Sequence, residues 1–356
     1  MNTWGNRIKL TLFGTSHGAA LGCVLDNIKP GLKLDFSAID EELSRRAPRA
    51  DKPSTARKEP DRYELLSGVY NGYTDGTPIC AVFKNIDARQ EEYPYPQVPR
   101  PSHADYAAST KYNGFNDPRG GGMFSGRMTL PLVFSGAVAR QYLIDKGVTV
   151  KAHVLMIGGV SDENFDPIYV NAAQLTALDP YFPLLNSDIR EKMEHALTLA
   201  REDNDSLGCA AECAAVGLPV GLGEPFFQSL ESSIASLLFS VPAVKGVEFG
   251  AGFAFSKAKG SEVNDGFYVE NDTVKTLTNH SGGINGGMAN GMPLIVRTAF
   301  RPVPTIAKAQ QSVNLTTMEI ETLRHVGRHD ACILPRGLIA VEAAVCLALL
   351  DAFGGS

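Results

Sequence analysis

Residues 8–13 alternate apolar and polar side chains, the period-two pattern of a half-buried strand, and residues 21–26 repeat it as a hairpin partner across a Gly14 and Gly18 turn. Ser37 reads as a helix N-cap with Asp40 three residues on, and that helix runs to Arg45 and Arg46 before Pro48. Residues 65–69 and 79–83 are expected strands around turns at Gly76 and Pro78. Residues 84–128 show little periodicity and much Pro, Gly, Tyr and Asp. A loop of that length in a compact protein is usually functional or disordered, and its aromatics and two embedded motifs favour function.

Beyond it the pattern turns helical. Pro131 sits in a first turn, apolar residues recur at Leu132, Val133, Gly136, Ala139 and Leu143, and Gly147 ends the run. Strands are expected at 148–157, 208–216, 247–255 and 294–300, and helices at 188–201 and 226–241. The apolar stretch 337–353, broken by Glu342 and Asp351, is too short and too charged to span a bilayer and reads as a buried helix. Strands come in hairpin-like pairs between a few helices. That favours an α+β architecture with mostly antiparallel sheets over a doubly wound one. No repeat or linker divides the chain, so residues 1–356 read as a single domain.

Composition narrows the function. A net charge of −6 argues against nucleic acid or a membrane surface as the main partner. The 35 glycines are about a tenth of the chain, above the usual ~7%, and they cluster beside charged residues rather than at a collagen period. No secretory leader is apparent, so a cytoplasmic setting is expected and the six scattered cysteines read as free thiols. Cys209 and Cys213 make a poor zinc half-site. His325 and His329 would share a helix face, but no acid completes a ligand set, so no metal is expected.

The glycine clusters carry the chemistry. Gly14-Thr15-Ser16-His17-Gly18 would project an imidazole from a tight turn at a strand end, suited to proton transfer near neutral pH. Arg45, Arg46, Arg49, Lys52, Arg57 and Lys58 concentrate positive charge in an acidic protein, which points to a phosphate or carboxylate ligand or, more blandly, to a solvated loop. Arg100-Pro-Ser-His103-Ala-Asp105 sets a second histidine beside an acid that would orient it. Arg119-Gly-Gly-Gly122 and Ser125-Gly-Arg127, ahead of a helix, read as an anion cradle without the P-loop signature. Gly282-Gly283, Gly286-Gly287 and Arg301-Pro-Val-Pro-Thr305 follow, then Arg328-His329-Asp330. With no nucleophile elbow and no Cys–His pair, the set suits proton movement on a multiply anionic substrate.

Taken in order, GTSHG (14–18), RRAP (45–48), TARKEPD (55–61), LSGVYNGYTDGTPI (66–79), RPSHADY (100–106), KYNGFNDPRGGG (111–122), DSLGCAAE (205–212), GLGEPFF (221–227), VPAVKGVEFGAGF (241–253), GSEVND (260–265), NHSGGINGGMANG (279–291) and GRHDACILPR (327–336) resemble the chorismate synthase family over nearly the whole chain. The resemblance implies a β-α-β sandwich, a homotetramer, and a lyase that removes phosphate from 5-enolpyruvylshikimate 3-phosphate by anti-1,4-elimination. It implies dependence on reduced FMN without net redox. No added reductase segment is apparent, so an external source of reduced flavin is expected rather than reduction by NAD(P)H on this chain.

By the same resemblance His17 would protonate the leaving phosphate, His103 would protonate or tune the flavin, and Asp330 would assist proton removal. Ser16, Arg45, Arg46, Lys52, Arg57, Arg127 and Arg328 would serve the substrate. Flavin contacts would come from Met123, Phe124, Ser125, Pro242, Ala243, Gly286, Arg301, Pro302, Val303, Pro304, Thr305 and Arg328. Departures are Thr15 for the family's Glu, Lys52 for an Arg, Arg301-Pro-Val for Lys-Pro-Thr, and Met123-Phe-Ser-Gly-Arg-Met-Thr129 for Arg-Ser-Ser-Ala-Arg-Glu-Thr.

Overall fold

The computed structural model describes residues 1–47, 61–85, 97–325 and 330–354. Two five-stranded antiparallel sheets enclose a layer of helices. The first sheet runs in the order Thr3–Trp4, Lys9–Gly14, Ala20–Asp26, Ile79–Lys84, Tyr63–Ser67. The second runs Val244–Phe249, Leu294–Phe300, Cys209–Val216, Thr149–Ile157, Val160–Ser161. Between them lie the helices Phe36–Arg46, Thr129–Asp145, Leu230–Ser240 and Leu338–Phe353. This is the α+β sandwich expected from the sequence.

The two central helices explain the layering. Thr129–Asp145 and Leu338–Phe353 are apolar around most of their circumference, so both must be covered on all sides, and a sheet on each face does this. They cross closely at Gly136. A Cβ there would lie 2.3 Å from the Cβ of Ala343, so any side chain would push the helices apart.

The two acids that interrupt the C-terminal apolar run are both engaged in the interior. Asp351 Oδ1 accepts from the backbone N–H of Asn6, Arg7 and Ile8 at 3.1, 2.7 and 2.8 Å, tying the N-terminus to the last helix. Glu342 accepts from Arg45 and Arg140. No helix among the described residues is long and apolar enough to cross a membrane.

Local expectations needed correction in four places. The first helix starts one residue before Ser37, and Asp35 caps it by accepting from Ala38 N at 3.2 Å. The aperiodic stretch 84–128 contains the short helix Asp105–Lys111. The strand expected at 247–255 is Val244–Phe249, with a tight helical turn at Gly252–Lys257. His325 lies past the strand Ile320–Leu323 and not on a helix, and the expectation for His329 lies outside the described residues.

Candidate active site

Three backbone segments meet beside the N-terminal end of Thr129–Asp145. The first is the turn after Lys9–Gly14, which carries His17. Thr15 Oγ1 donates to Asp117 Oδ2 at 3.0 Å, and Ser16 N donates to Gly122 O at 3.2 Å. Ser16 is fully buried. Its hydroxyl lies 3.2 Å from Arg119 O and 3.0 Å from His17 Nδ1. With Oγ–H donating to the carbonyl, Oγ accepts from His17 Nδ1–H, so this hydroxyl, expected to contact substrate, also orients the imidazole.

The second segment is the glycine run. Gly120, Gly121 and Gly122 all have left-handed φ, at 59°, 100° and 54°. A Cβ on Gly120 would fall 2.0 Å from His17 Cε1, and one on Gly121 would fall 3.4 Å from His103 Nε2. The run, expected to cradle an anion, is also a thin backbone wall that lets both imidazoles approach it closely.

The third segment carries His103. Its Nδ1 is 2.6 Å from Asp105 Oδ1 and 3.1 Å from Arg100 Nη2. One nitrogen cannot donate to the carboxylate and accept from the guanidinium at once. The shorter contact decides for Nδ1–H donating to Asp105, which directs Nε2 to Gly121. Burial alone would raise the Asp105 carboxyl. Hydrogen bonds from Arg100 and His103 outweigh it and hold the group well below the usual carboxylate range.

Beneath the histidines, Asp61 binds two arginines. Arg46 Nη2 donates to it at 2.6 Å and Arg127 Nη1 at 3.0 Å. Arg127 Nε also donates to Asn85 Oδ1 at 2.8 Å, and Asn85 Nδ2 donates to the carbonyls of Thr15 and Gly18. One chain of contacts thus runs from Arg46 to the His17 turn. Asp330 accepts from Arg336 Nη1 at 3.2 Å, and Arg336 Nε donates to Arg46 O at 3.0 Å.

A cavity of about 280 Å³ is lined by Arg46, Arg100, His103, Asp330 and Arg336, and on its apolar side by Phe124, Pro242, Ala243, Val303 and Ile333; His17, which packs against the lining residue Gly120, and Arg127 are not part of this lining. A larger open cleft of about 960 Å³ adjoins it past His103, Met123 and Arg301. Of the expected site residues, His103, Asp330, Arg46, Phe124, Ser125, Pro242, Ala243, Arg301, Val303, Pro304 and Thr305 share the cavity. Met123 lies in the adjoining cleft, while Pro302 packs near Gly208. Arg45 turns away into the interior, toward Glu342, and Gly286 forms the tip of the separate hairpin 284–289. Lys52, Arg57 and Arg328 lie outside the described residues.

The walls fit a planar heteroaromatic ring with an anionic tail. Arg301 Nε is buried with no hydrogen-bond partner, although the same side chain donates to Ser102 O. Ala243 holds a left-handed φ of 74° at the cavity wall, a strain that non-glycine residues adopt where the surroundings require it. Sequence reasoning gave no role to Asp61, Asn85 or Arg336. Asp61 and Arg336 lie inside quoted motifs, at the end of TARKEPD and of GRHDACILPR. Asn85 carries no local signal at all.

A family model described as chorismate synthase matches residues 8–353. The chain belongs to the chorismate synthase family. It is 41% identical to the chorismate synthase of Dehalococcoides mccartyi over 98% of this chain and 96% of that one. It is 42% identical to that of Thermococcus gammatolerans, with the same coverage. A crystal structure of chorismate synthase superposes with a TM-score of 0.76 at 27% identity, covering 98% of this chain and 92% of that one. Membership makes the chain an enzyme with a small-molecule substrate.

Proposed function

We propose that the chain converts 5-enolpyruvylshikimate 3-phosphate to chorismate by anti-1,4-elimination, with reduced FMN bound in the same cavity and no net redox change. The observation that carries this reading is the convergence of His103, Asp330 and the guanidiniums of Arg46, Arg100, Arg301 and Arg336 on one partly apolar cavity, with His17 packed against its lining residue Gly120. A substrate with a phosphate and two carboxylates needs that many cations, and arginine binds such groups bidentately. Arg46 and Arg127, with Lys52, Arg57 and Arg328 from outside the described residues, serve the anionic groups.

His17 Nε2 delivers a proton to the departing phosphate while Ser16 holds Nδ1. Asp105 keeps the His103 ring oriented, with Nε2 toward the cavity. Asp330, held by Arg336, assists proton removal. Arg301, Val303, Pro304 and Thr305, with the apolar Phe124, Pro242 and Ala243, would hold the flavin and its phosphate. When bound, reduced FMN supplies electron density to the allylic system and a ring nitrogen that takes the proton. The assembly is a homotetramer fed by an external source of reduced flavin.

Purified protein given reduced FMN and the enolpyruvyl phosphate without oxygen is expected to release phosphate and chorismate in equal amounts with the flavin still reduced. Absence of phosphate release would overturn the reading. Consumption of one reductant per product would instead mark a flavin oxidoreductase.

A further inference from the structure

Asn85 follows the last residue of the strand Ile79–Lys84, where Lys84 pairs with Ala20, and so stands beside the turn that carries His17. Its side chain bonds both that turn and Arg127. Nδ2 donates to Gly18 O at 2.7 Å and to Thr15 O at 3.1 Å, while Oδ1 accepts from Arg127 Nε at 2.8 Å. The Asn85 backbone N–H donates to Ala19 O at 3.2 Å. The orientation of the amide is not free. A carbonyl only accepts and a guanidinium only donates, so the nitrogen must face the turn and the oxygen the arginine.

The turn is held at both ends. Before His17, Ser16 N donates to Gly122 O and Thr15 Oγ1 donates to Asp117 Oδ2. After it, Asn85 holds the carbonyls of Gly18 and Ala19. The same amide continues into the charge cluster. Arg127 Nη1 donates to Asp61 Oδ1 at 3.0 Å, Arg46 Nη2 donates to Asp61 Oδ2 at 2.6 Å, and Arg46 lines the cavity. A neutral amide joins the histidine turn to these arginines without adding a charge that would compete for the guanidiniums. The junction needs an acceptor and two donors on a short side chain, and asparagine supplies them.

We propose that Asn85 is a positioning residue for turnover, setting the place of the His17 imidazole relative to Arg127 and Arg46. The proposal rests on the functional reading above, in which His17 protonates the leaving phosphate. That step needs the imidazole within hydrogen-bond reach of the departing oxygen, and a misplacement of about 1 Å can cost about 10²-fold in rate. Asn85 does not line the cavity, so its effect reaches the reaction through the turn and through Arg127.

Asn85→Asp keeps the acceptor for Arg127 and sets oxygen, in place of N–H, against the carbonyls of Thr15 and Gly18. In the full chain it is expected to lower kcat by about tenfold or more while KM changes by less than about threefold. Asn85→Leu gives up both halves of the junction and is expected to raise KM as well; if it does not fold, Asn85→Asp carries the test alone. In a His17→Ala background, Asn85→Asp is expected to slow turnover by less than about twofold further, because a residue acting through His17 has nothing left to position. Amide exchange followed by mass spectrometry is expected to quicken over residues 15–19 in both variants and to stay unchanged in the central helices. A kcat loss that adds in full to that of His17→Ala overturns the proposal. So does a KM rise with kcat unmoved in Asn85→Asp, or unchanged exchange over 15–19. Exchange is read without turnover, so a wild type that releases no phosphate overturns the functional reading, while the exchange result still decides whether Asn85 holds the turn.

Discussion

Arg45 donates to both oxygens of Glu342, at 2.9 and 2.7 Å, and Glu342 also accepts from Arg140 at 2.6 Å and from Ala152 N at 3.2 Å. Arg46, the next residue on the same helix, shares Asp61 with Arg127 and lines the cavity. Both guanidiniums are nearly inaccessible. What separates them is the far side of each group. Around Glu342 every lone-pair direction is filled by protein and the cluster is sealed between helices. Around Asp61, one of the two arginines, Arg46, ends at a cavity wall that a ligand can reach. Burial of a charge is therefore not by itself a sign of function. A saturated cluster holds helices together, and one that opens on a cavity offers charge to something else.

The largest expected effect is on the sealed side. Glu342→Ala leaves Arg45 and Arg140 only the Glu42 carboxylate among the described residues, at 3.4 and 3.2 Å, and is expected to cost about 3–5 kcal/mol in urea unfolding. A loss under about 1 kcal/mol would show that water reaches the cluster and that the contrast is false. Protonation tests the same cluster. Burial would raise the Glu342 carboxyl, but Arg45 and Arg140 hold it down to about 2, from an ordinary 4.5. A depressed carboxylate contributes stability above its unfolded value and loses it as pH falls through the folded one. Stability is therefore expected to drop between about pH 4.5 and 2, and Glu342→Gln to flatten that drop, seen in acid unfolding curves.

On the open side the expected losses are catalytic. His17→Ala and His103→Ala should each slow turnover by about 10²-fold or more with the unfolding midpoint little changed, the scale of general acid–base help. A near-normal rate would remove those residues from the chemistry. Arg46→Met is expected to raise KM by about tenfold or more, the worth of one charged hydrogen bond, while Arg45→Met acts on stability first. If the two variants behave alike, the division between neighbours fails. The smallest change is Asp35→Ala. Loss of this cap should cost the helix carrying both arginines about 1 kcal/mol, read as a shift in the unfolding midpoint with KM unmoved.

The sequence made the elements legible because their periodicities are local. Strands near 8–13, 148–157, 208–216 and 294–300 and the two central helices stand close to where alternation and capping put them. Errors fell where a local signal had a rival. Asp35 and Ser37 are both capping residues, and only packing decides which serves. A short helix such as Asp105–Lys111 has too few turns to show a period. His17, His103 and Asp330 were visible through the glycines and family motifs around them. Asn85, which bridges Arg127 to the His17 turn, was not, because its role exists only in contacts between distant segments.

The amino-acid order alone thus determined the α+β class, the family, and many of the groups that line one cavity. These follow from patterns a few residues long and from motifs read in order. Tertiary structure decided which arginine faces the ligand, that Ser16 holds His17, and that Gly120 and Gly121 form a wall both histidines approach closely. Each of these depends on the direction of a side chain across segments tens to hundreds of residues apart. That direction is fixed by close packing of the helix layer between its two sheets and not by any local propensity.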